Sequence, residues 1–371
     1  MEVTSTSSQT KKTPFYKYHI EAGARMVPFA GYMMPIQYIG ITAEHKAVRN
    51  NVGLFDLSHM GELEISGPGA LGFLQKMTTN DVSLMKPGQI QYTCICFDDG
   101  GIVDDLLVYH LGDRYMLVVN AVNIDKDFKW LQSHLNDNVE LKNLSDDYGL
   151  LAIQGPNAQK VMEKIASYDF ESMAYYRSAV TQIGNHSVLF SRTGYTGEDG
   201  FEIYVRPKAC DDVWKKVVEA GRKLDMQLIG LGARDSLRLE MKMTLYGNDI
   251  DQTTTPIEAS LSWIVKPDKG EFIGREVILK QKKEKPKRRL VCLELEGRAF
   301  PRKGYDLIYD NKVVGKVTSG TFSPSLNKPI ALGYLPLPLT KTGNTVNVKI
   351  RDKLFPAQIV KPPFYKKGTH R

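Results

Sequence analysis

Three stretches of the chain place ionisable side chains where chemistry is a natural reading. Asp104 and Asp105 lie inside IVDDLLVYH (102–110), a run that reads as a strand. Neighbours in a strand face opposite ways, so Asp104 shares a face with Ile102, Leu106 and Val108, and Asp105 with Val103, Leu107 and Tyr109. Either arrangement puts a carboxylate in apolar surroundings, which is costly unless the group is paired or used. One reading is an aspartate satisfied by backbone amides at a strand edge. The other is a carboxylate aimed into a cavity at a cationic or proton-shuttling centre. In SRTGYTGEDGFEIY (191–204), three glycines and two threonines make a tight turn, and Glu202 follows between Phe201 and Ile203. In GLGARDSLR (230–238), Arg234 and Asp235 open a helix directly after two glycines. A carboxylate and a guanidinium can each make paired hydrogen bonds, which suits a planar heterocycle rich in nitrogen. An internal salt-bridge network is the plain alternative for all three.

Other motifs carry less. Gly67-Pro-Gly69-Ala-Leu-Gly72 has the dinucleotide-binding glycine spacing, but no strand ending in an acid lies about 20 residues on, so it reads as a strand-to-helix turn and no nicotinamide or flavin is expected. A phosphate-binding GxxxxGK[ST] loop is absent. Cys94-x-Cys96 is not a zinc spacing, and the seven histidines are scattered without HxxxH, so no metal is expected. Asp56, Ser58 and His59 are close in sequence, which is no sign of a triad, because a triad is assembled by the fold.

The elements that must position these groups are mixed. Strand-like runs at 61–66, 91–97, 102–110, 113–120, 149–154, 187–192 and 201–206 alternate irregularly with helical patterns at 69–78, 123–135, 156–166, 210–224 and 233–242. No steady βαβ rhythm appears, so the class is α+β rather than a doubly wound sheet. Past residue 289 the texture becomes short alternating runs broken by Gly, Pro and Asn, an all-β domain of the sandwich or barrel kind. The expected organisation is a disordered leader over 1–12, a main α+β region over 13–280, a basic linker over 281–289, a β domain over 290–365 and a basic tail over 366–371.

The 371 residues suffice for two or three domains, and 42% hydrophobic with 25% charged residues excludes a wholly disordered chain. Every apolar run is broken before the roughly 18 residues of a membrane span, and four cysteines are too few for a disulfide scaffold. The net charge of +7 is concentrated: residues 281–289 hold six basic residues and one acid, and 360–371 hold four basic residues and no acid. The rest is near neutral, so a nucleic-acid coat is not expected. The two segments are either solvated surface or a means of steering an acidic partner or an anionic substrate tail. No secretory signal is visible, and no Arg precedes Arg25, so a transit peptide is unsupported. The expected location is the cytoplasm, or the mitochondrial matrix if the source is eukaryotic and a transit peptide has been removed.

Ten blocks in order resemble the glycine cleavage T-protein (aminomethyltransferase) family: TPFY (13–16), FAGYMMPIQY (29–38), GLFDLSHMGE (53–62), GGIVDDLLVY (100–109), LAIQGPNAQKV (151–161), SRTGYTGEDGFEIY (191–204), GARDSLRLE (232–240), LYGNDID (245–251), TPIEASLSW (255–263) and VTSGTFSPSL (317–326). The resemblance runs from about Thr13 to Phe364 and implies a folate-binding region of two interleaved α+β subdomains, then a β-rich barrel or jelly-roll-like domain. It implies that a lipoylated carrier (H) protein brings an aminomethyl group on dihydrolipoyl sulfur and that tetrahydrofolate is the co-substrate. The products implied are 5,10-methylene-tetrahydrofolate, ammonia and dihydrolipoyl carrier. Functional links to the glycine decarboxylase and dihydrolipoyl dehydrogenase components follow from the same resemblance.

By matching motif positions, Asp105 takes the place of the family's catalytic aspartate, Glu202 that of the pterin-binding glutamate and Arg234 that of its arginine partner. Asn120, Tyr195, Tyr246 and Trp263 match positions around the folate pocket. The leader and the tail beyond Phe364 fit no family block. The same scaffold serves stand-alone folate-dependent demethylases and non-enzymatic folate-binding proteins, which are the alternatives; the chain has no room for a fused flavin dehydrogenase.

Overall fold

The structure, a computed structural model, describes residues 10–297 and 300–370. The main region holds two mixed layers whose strands interleave in sequence. A six-stranded sheet runs in the order Arg177–Ile183, His186–Arg192, Gly200–Val205, Gly149–Gln154, Gly53–Asp56 and Gln227–Leu228. A five-stranded sheet runs Ile90–Cys96, Ile102–His110, Arg114–Val119, Gly61–Ser66 and Glu140–Asn143. The chain thus leaves the first sheet after Asp56, builds the second between residues 61 and 143, and returns at Gly149.

Each sheet buries its outer face under helices. Ala158–Ile165 and Cys210–Arg222 pack on the first, around Leu151, Ile153, Phe190, Phe201, Val213 and Trp214. Ala70–Met77 and Ile124–Gln132 pack on the second, around Leu63, Phe73, Leu74, Val103, Leu117 and Leu131. Between the sheets lies a third core of Phe55, Tyr109, Met116, Val118, Ala152, Tyr204 and Leu237. Tyr204 donates to the Tyr109 hydroxyl at 2.8 Å and closes that interface with a polar contact inside it. A small sheet of Lys11–Lys12, Tyr32–Gln37 and Arg25–Phe29 sits beside these layers.

The β domain is a closed barrel in the order Arg288–Leu295, Lys328–Pro336, Lys312–Ser323, Asp306–Tyr309, Thr345–Ile350 and Lys353–Val360. Closure leaves no open sheet edge. The barrel meets the main region along the helix Leu231–Glu240. Arg238, buried there, reaches Asp235 and Asp249 on one side and the Ser319 hydroxyl of the barrel on the other. Glu240 accepts from Ser323 and, at 2.8 Å, from Ser325, both in the barrel.

Three boundary expectations change. The segment 281–289 is not a free linker: the helix Arg275–Glu284 takes its first part and the first barrel strand begins at Arg288. The helix fully buries only Ile278, and five of its ten residues are exposed, so the lysine run masks its period. The leader expectation lies outside the described residues for 1–9, whereas Lys11–Lys12 pairs with Tyr32 and Met33 as a parallel strand. The basic tail packs against the main region over its described residues, 366–370. Thr369 donates to Glu198 and accepts from the Asp199 N–H, and His370 shares a hydrogen bond with the Gly197 carbonyl.

Candidate active site

Two clusters of side chains form, one on each sheet. On the five-stranded sheet the hairpin Ile90–Cys96/Ile102–His110 sets Asp105 opposite Cys94 and Leu107 opposite Tyr92. Tyr92 is therefore the diagonal neighbour of Asp105 on the same face. Its hydroxyl donates to Asp105 at 2.7 Å, and the Asn120 side-chain amide donates to the other oxygen at 2.9 Å. Asp105 keeps part of its surface open, while Asp104 is wholly buried on the opposite face. That difference decides which of the two carboxylates can meet a substrate. Burial, and then the neighbouring Asp104 charge, push the Asp105 carboxyl up to about 7, against the two hydrogen bonds that favour its ionised form.

On the six-stranded sheet Glu202 pairs with Ser191 and Ala152 of the flanking strands. Its carboxylate accepts from the Thr193 hydroxyl, which also shares a 2.6 Å bond with Ser191. Ser191 in turn contacts the Tyr109 hydroxyl at 3.1 Å, so a polar thread runs from the Asp105 strand to Glu202. Asp105 and Tyr109 are four residues apart, about 13 Å along that strand. Burial raises the Glu202 carboxyl above its ordinary range, while Thr193 and the Arg234 charge pull it back.

Arg234 projects from the first turn of the helix Leu231–Glu240, whose start is tightly set. Glu44 accepts from the Gly230 N–H at 2.8 Å and from three N–H groups over 38–40. A Cβ on Gly230 would sit 2.4 Å from the Ile36 carbonyl carbon, so only glycine fits that approach. The Arg234 guanidinium stacks over the Tyr195 ring at 4.5 Å. No described carboxylate forms a salt bridge with it, which leaves its donors free for a ligand. The Tyr195 hydroxyl donates to the Thr244 carbonyl, and the ring lies within electrostatic reach of both Arg234 and Asp105, which joins the two clusters.

Tyr246 and Trp263 take outer places. The Tyr246 hydroxyl accepts from Lys126 at 2.7 Å and donates to the Ile102 carbonyl at 3.1 Å, beside the Asp104 side of the strand. Trp263 is 60% exposed and lies 5.8 Å from the Tyr92 ring, at the rim above Asp105. Reasoning from sequence missed Tyr92 and Thr193, which hold the two carboxylates. The DDGG turn at 98–101 signals the hairpin, but a bulge between Ile95 and Cys96 shifts its register by one residue, so the turn alone does not place Tyr92 beside Asp105. It also missed Glu62, which is buried within reach of Glu202 and pushed well above the carboxylate range by burial and by that charge. His59 is buried with Nδ1 unpartnered and pushed down to about 3, first by burial and then by Arg234. Among the described residues no group of three or more His, Cys, Asp or Glu is arranged to hold a metal ion.

Comparison with known proteins decides the family. The GCVT N-terminal domain matches residues 15–269, and the glycine cleavage T-protein C-terminal barrel domain matches 288–366. The chain belongs to the glycine cleavage T-protein family. It is 49% identical over 355 residues to an aminomethyltransferase of Halothermothrix orenii, covering 95% of this chain and 99% of that one. It is 49% identical over 360 residues to an aminomethyltransferase of Bacteroides thetaiotaomicron, covering 96% and 100%. The crystal structure of glycine cleavage system aminomethyltransferase T from Bartonella henselae superposes with a TM-score of 0.91 at 35% identity, covering 98% of this chain and all of that one. The chain is accordingly an enzyme, an aminomethyltransferase of the glycine cleavage system. The break between the matched domains, 270–287, contains the helix Arg275–Glu284 and ends where the first barrel strand begins at Arg288.

Proposed function

We propose that the chain moves the one-carbon unit of an aminomethyl-dihydrolipoyl carrier protein to tetrahydrofolate, with Asp105 acting on the transferred carbon and Glu202 with Arg234 holding the pterin. The carbon leaves sulfur and the amine nitrogen and forms two bonds to folate nitrogens. The two protons released from those nitrogens go to the carrier sulfur and to the departing amine, which leaves as ammonia.

Asp105 stabilises the iminium-like carbon and orients the amine, a charge that exists only as reaction proceeds. Tyr92 and Asn120 fix both of its oxygens, so positioning supplies part of the effect. With its carboxyl raised to about 7, Asp105 can also carry a proton near neutral pH. Glu202 accepts from the pterin N–H groups, and Arg234 donates to the carbonyl edge of the ring. The observation that carries this reading is an open, doubly anchored carboxylate on one sheet set against a carboxylate on the other and a guanidinium on the helix Leu231–Glu240 with no salt-bridge partner among the described residues.

The test is a turnover assay for 5,10-methylene-tetrahydrofolate with and without reduced, aminomethylated carrier protein. Formation only with the carrier supports the proposal. Equal turnover of a free N-methylated amine without carrier would replace it with a demethylase.

A further inference from the structure

Behind Asp105 lies a buried carboxyl pair that the mechanism above leaves unused. Asp104 receives three hydrogen bonds: the Asn120 N–H reaches one oxygen at 3.0 Å, and the side-chain amides of Asn120 and Asn123 reach the other at 2.9 and 2.6 Å. The Asn120 amide is shared, because it also donates to Asp105 at 2.9 Å. Asp127 projects from the helix Ile124–Gln132 and is fully buried. No N–H or O–H donates to either of its oxygens, and no described Lys, Arg or His forms a salt bridge with it. The carboxyl that acts on it most strongly is Asp104, from the strand facing its helix.

A fully buried carboxyl with neither oxygen partnered and no cation paired to it does not stay ionised beside a second buried carboxylate. One of the pair holds a proton. Asp104 already has three donors that favour its charge and Asp127 has none, so the proton belongs to Asp127. We propose that Asp127 is a permanently protonated positioning residue: its O–H donates to Asp104, keeps Asp104 ionised, and through the shared Asn120 amide fixes the Asp105 carboxylate. This rests on Asp105 being the reacting carboxylate. Burial and the Asp104 charge push the Asp127 carboxyl up to about 11, consistent with a retained proton.

The neighbouring elements add one cation. Lys126, on the same helix, hydrogen-bonds to Tyr246 at 2.7 Å; Asp251 belongs to the same charged surroundings, and Asp105 faces the pair from the strand. The pair therefore contributes a single negative charge behind Asp105, and losing a neutral Asp127 leaves that charge in place.

The test uses the full chain and the variants Asp127→Asn, Asp127→Leu and Asp104→Asn. Asn keeps a donor to Asp104. Asp127→Asn is expected to retain kcat within about twofold and to leave the acid limb of the pH–rate profile unmoved, because no charge is lost. Asp127→Leu removes the donor and is expected to lower kcat about tenfold with the folate KM little changed. Infrared spectra of the folded, substrate-free protein at pH 7 should show a protonated-carboxyl band that Asp127→Asn removes. Should Asp127→Leu fail to fold, the Asn variant and the infrared band still decide. A shift of the acid limb in Asp127→Asn as large as that in Asp104→Asn, or no band in the unaltered protein, would show Asp127 to be ionised and overturn the proposal. Equal activity of Asp127→Leu and Asp127→Asn would overturn the positioning role. The infrared result stands even if the chain's reaction proves different, so the two failures are distinguishable.

Discussion

Asp105 and Glu202 are both carboxylates in apolar strands, yet their surroundings differ. Asp105 has neutral donors, a phenol and an amide, and a like charge beside it. Glu202 has a hydroxyl donor and a guanidinium in electrostatic reach. Burial raises both, but the neighbour raises Asp105 further while the neighbours of Glu202 pull it down. In the proposed reaction the first group trades a proton or meets a developing cation, and the second binds the pterin. The proposed separation into chemistry and recognition rests on the Asp104 charge beside Asp105 and the Arg234 guanidinium within reach of Glu202.

Breaking the chemical side should have the larger effect. Asp105→Asn is expected to lower kcat about 100-fold or more while the folate KM moves little, read by steady-state turnover. Tyr92→Phe removes one of the two anchors of that carboxylate and should lower kcat about fivefold. A pH–rate profile sharpens the comparison. If ionised Asp105 is required, activity rises as pH passes upward through about 7. Asp104→Asn removes the charge that raises Asp105, so the rise should move to lower pH by about one unit. An unmoved profile would detach the Asp104 charge from Asp105. The smallest effect belongs to the surface. Lys282, Lys283, Lys285, Lys287 and Arg289 are exposed, whereas Arg288 pairs with Glu258 and covers Tyr334 at 4.8 Å. Neutralising those five and leaving Arg288 should reduce carrier-dependent turnover about two- to threefold at low salt, with convergence on the unaltered protein at physiological salt.

Much of this was legible in the sequence. Alternation placed the strand 61–66 at its observed limits, and short apolar runs bounded by turn residues placed 102–110 and 149–154, the last buried on both faces. The opposing faces of Asp104 and Asp105 followed from strand period, and burial then ranked them. What the sequence could not yield is non-local. The interleaving of the two sheets depends on residues almost a hundred positions apart pairing, as Leu151 does with Asp56. Thr193 gives no signal as the donor to Glu202 until the hairpin of 186–192 with 200–205 is formed. The lysine run at 281–289 hid a helix, because a helix that buries only Ile278 has almost no apolar period to detect. Asp127 is a different case. It sits three residues after Ile124 and four before Leu131, on the apolar stripe of its helix, so its burial could have been read from spacing.

The division between the two carboxylates is tested most directly by equilibrium binding of tetrahydrofolate, without carrier, to the unaltered protein, Asp105→Asn and Glu202→Gln. Asp105→Asn should bind with a Kd within about threefold of the unaltered protein, since its interaction grows only as the carbon becomes cationic. Glu202→Gln should weaken binding about tenfold or more, the loss expected for one charge-assisted hydrogen bond. If Asp105→Asn weakens tetrahydrofolate as much as Glu202→Gln does, both carboxylates are binding groups and the separation of chemistry from recognition is wrong.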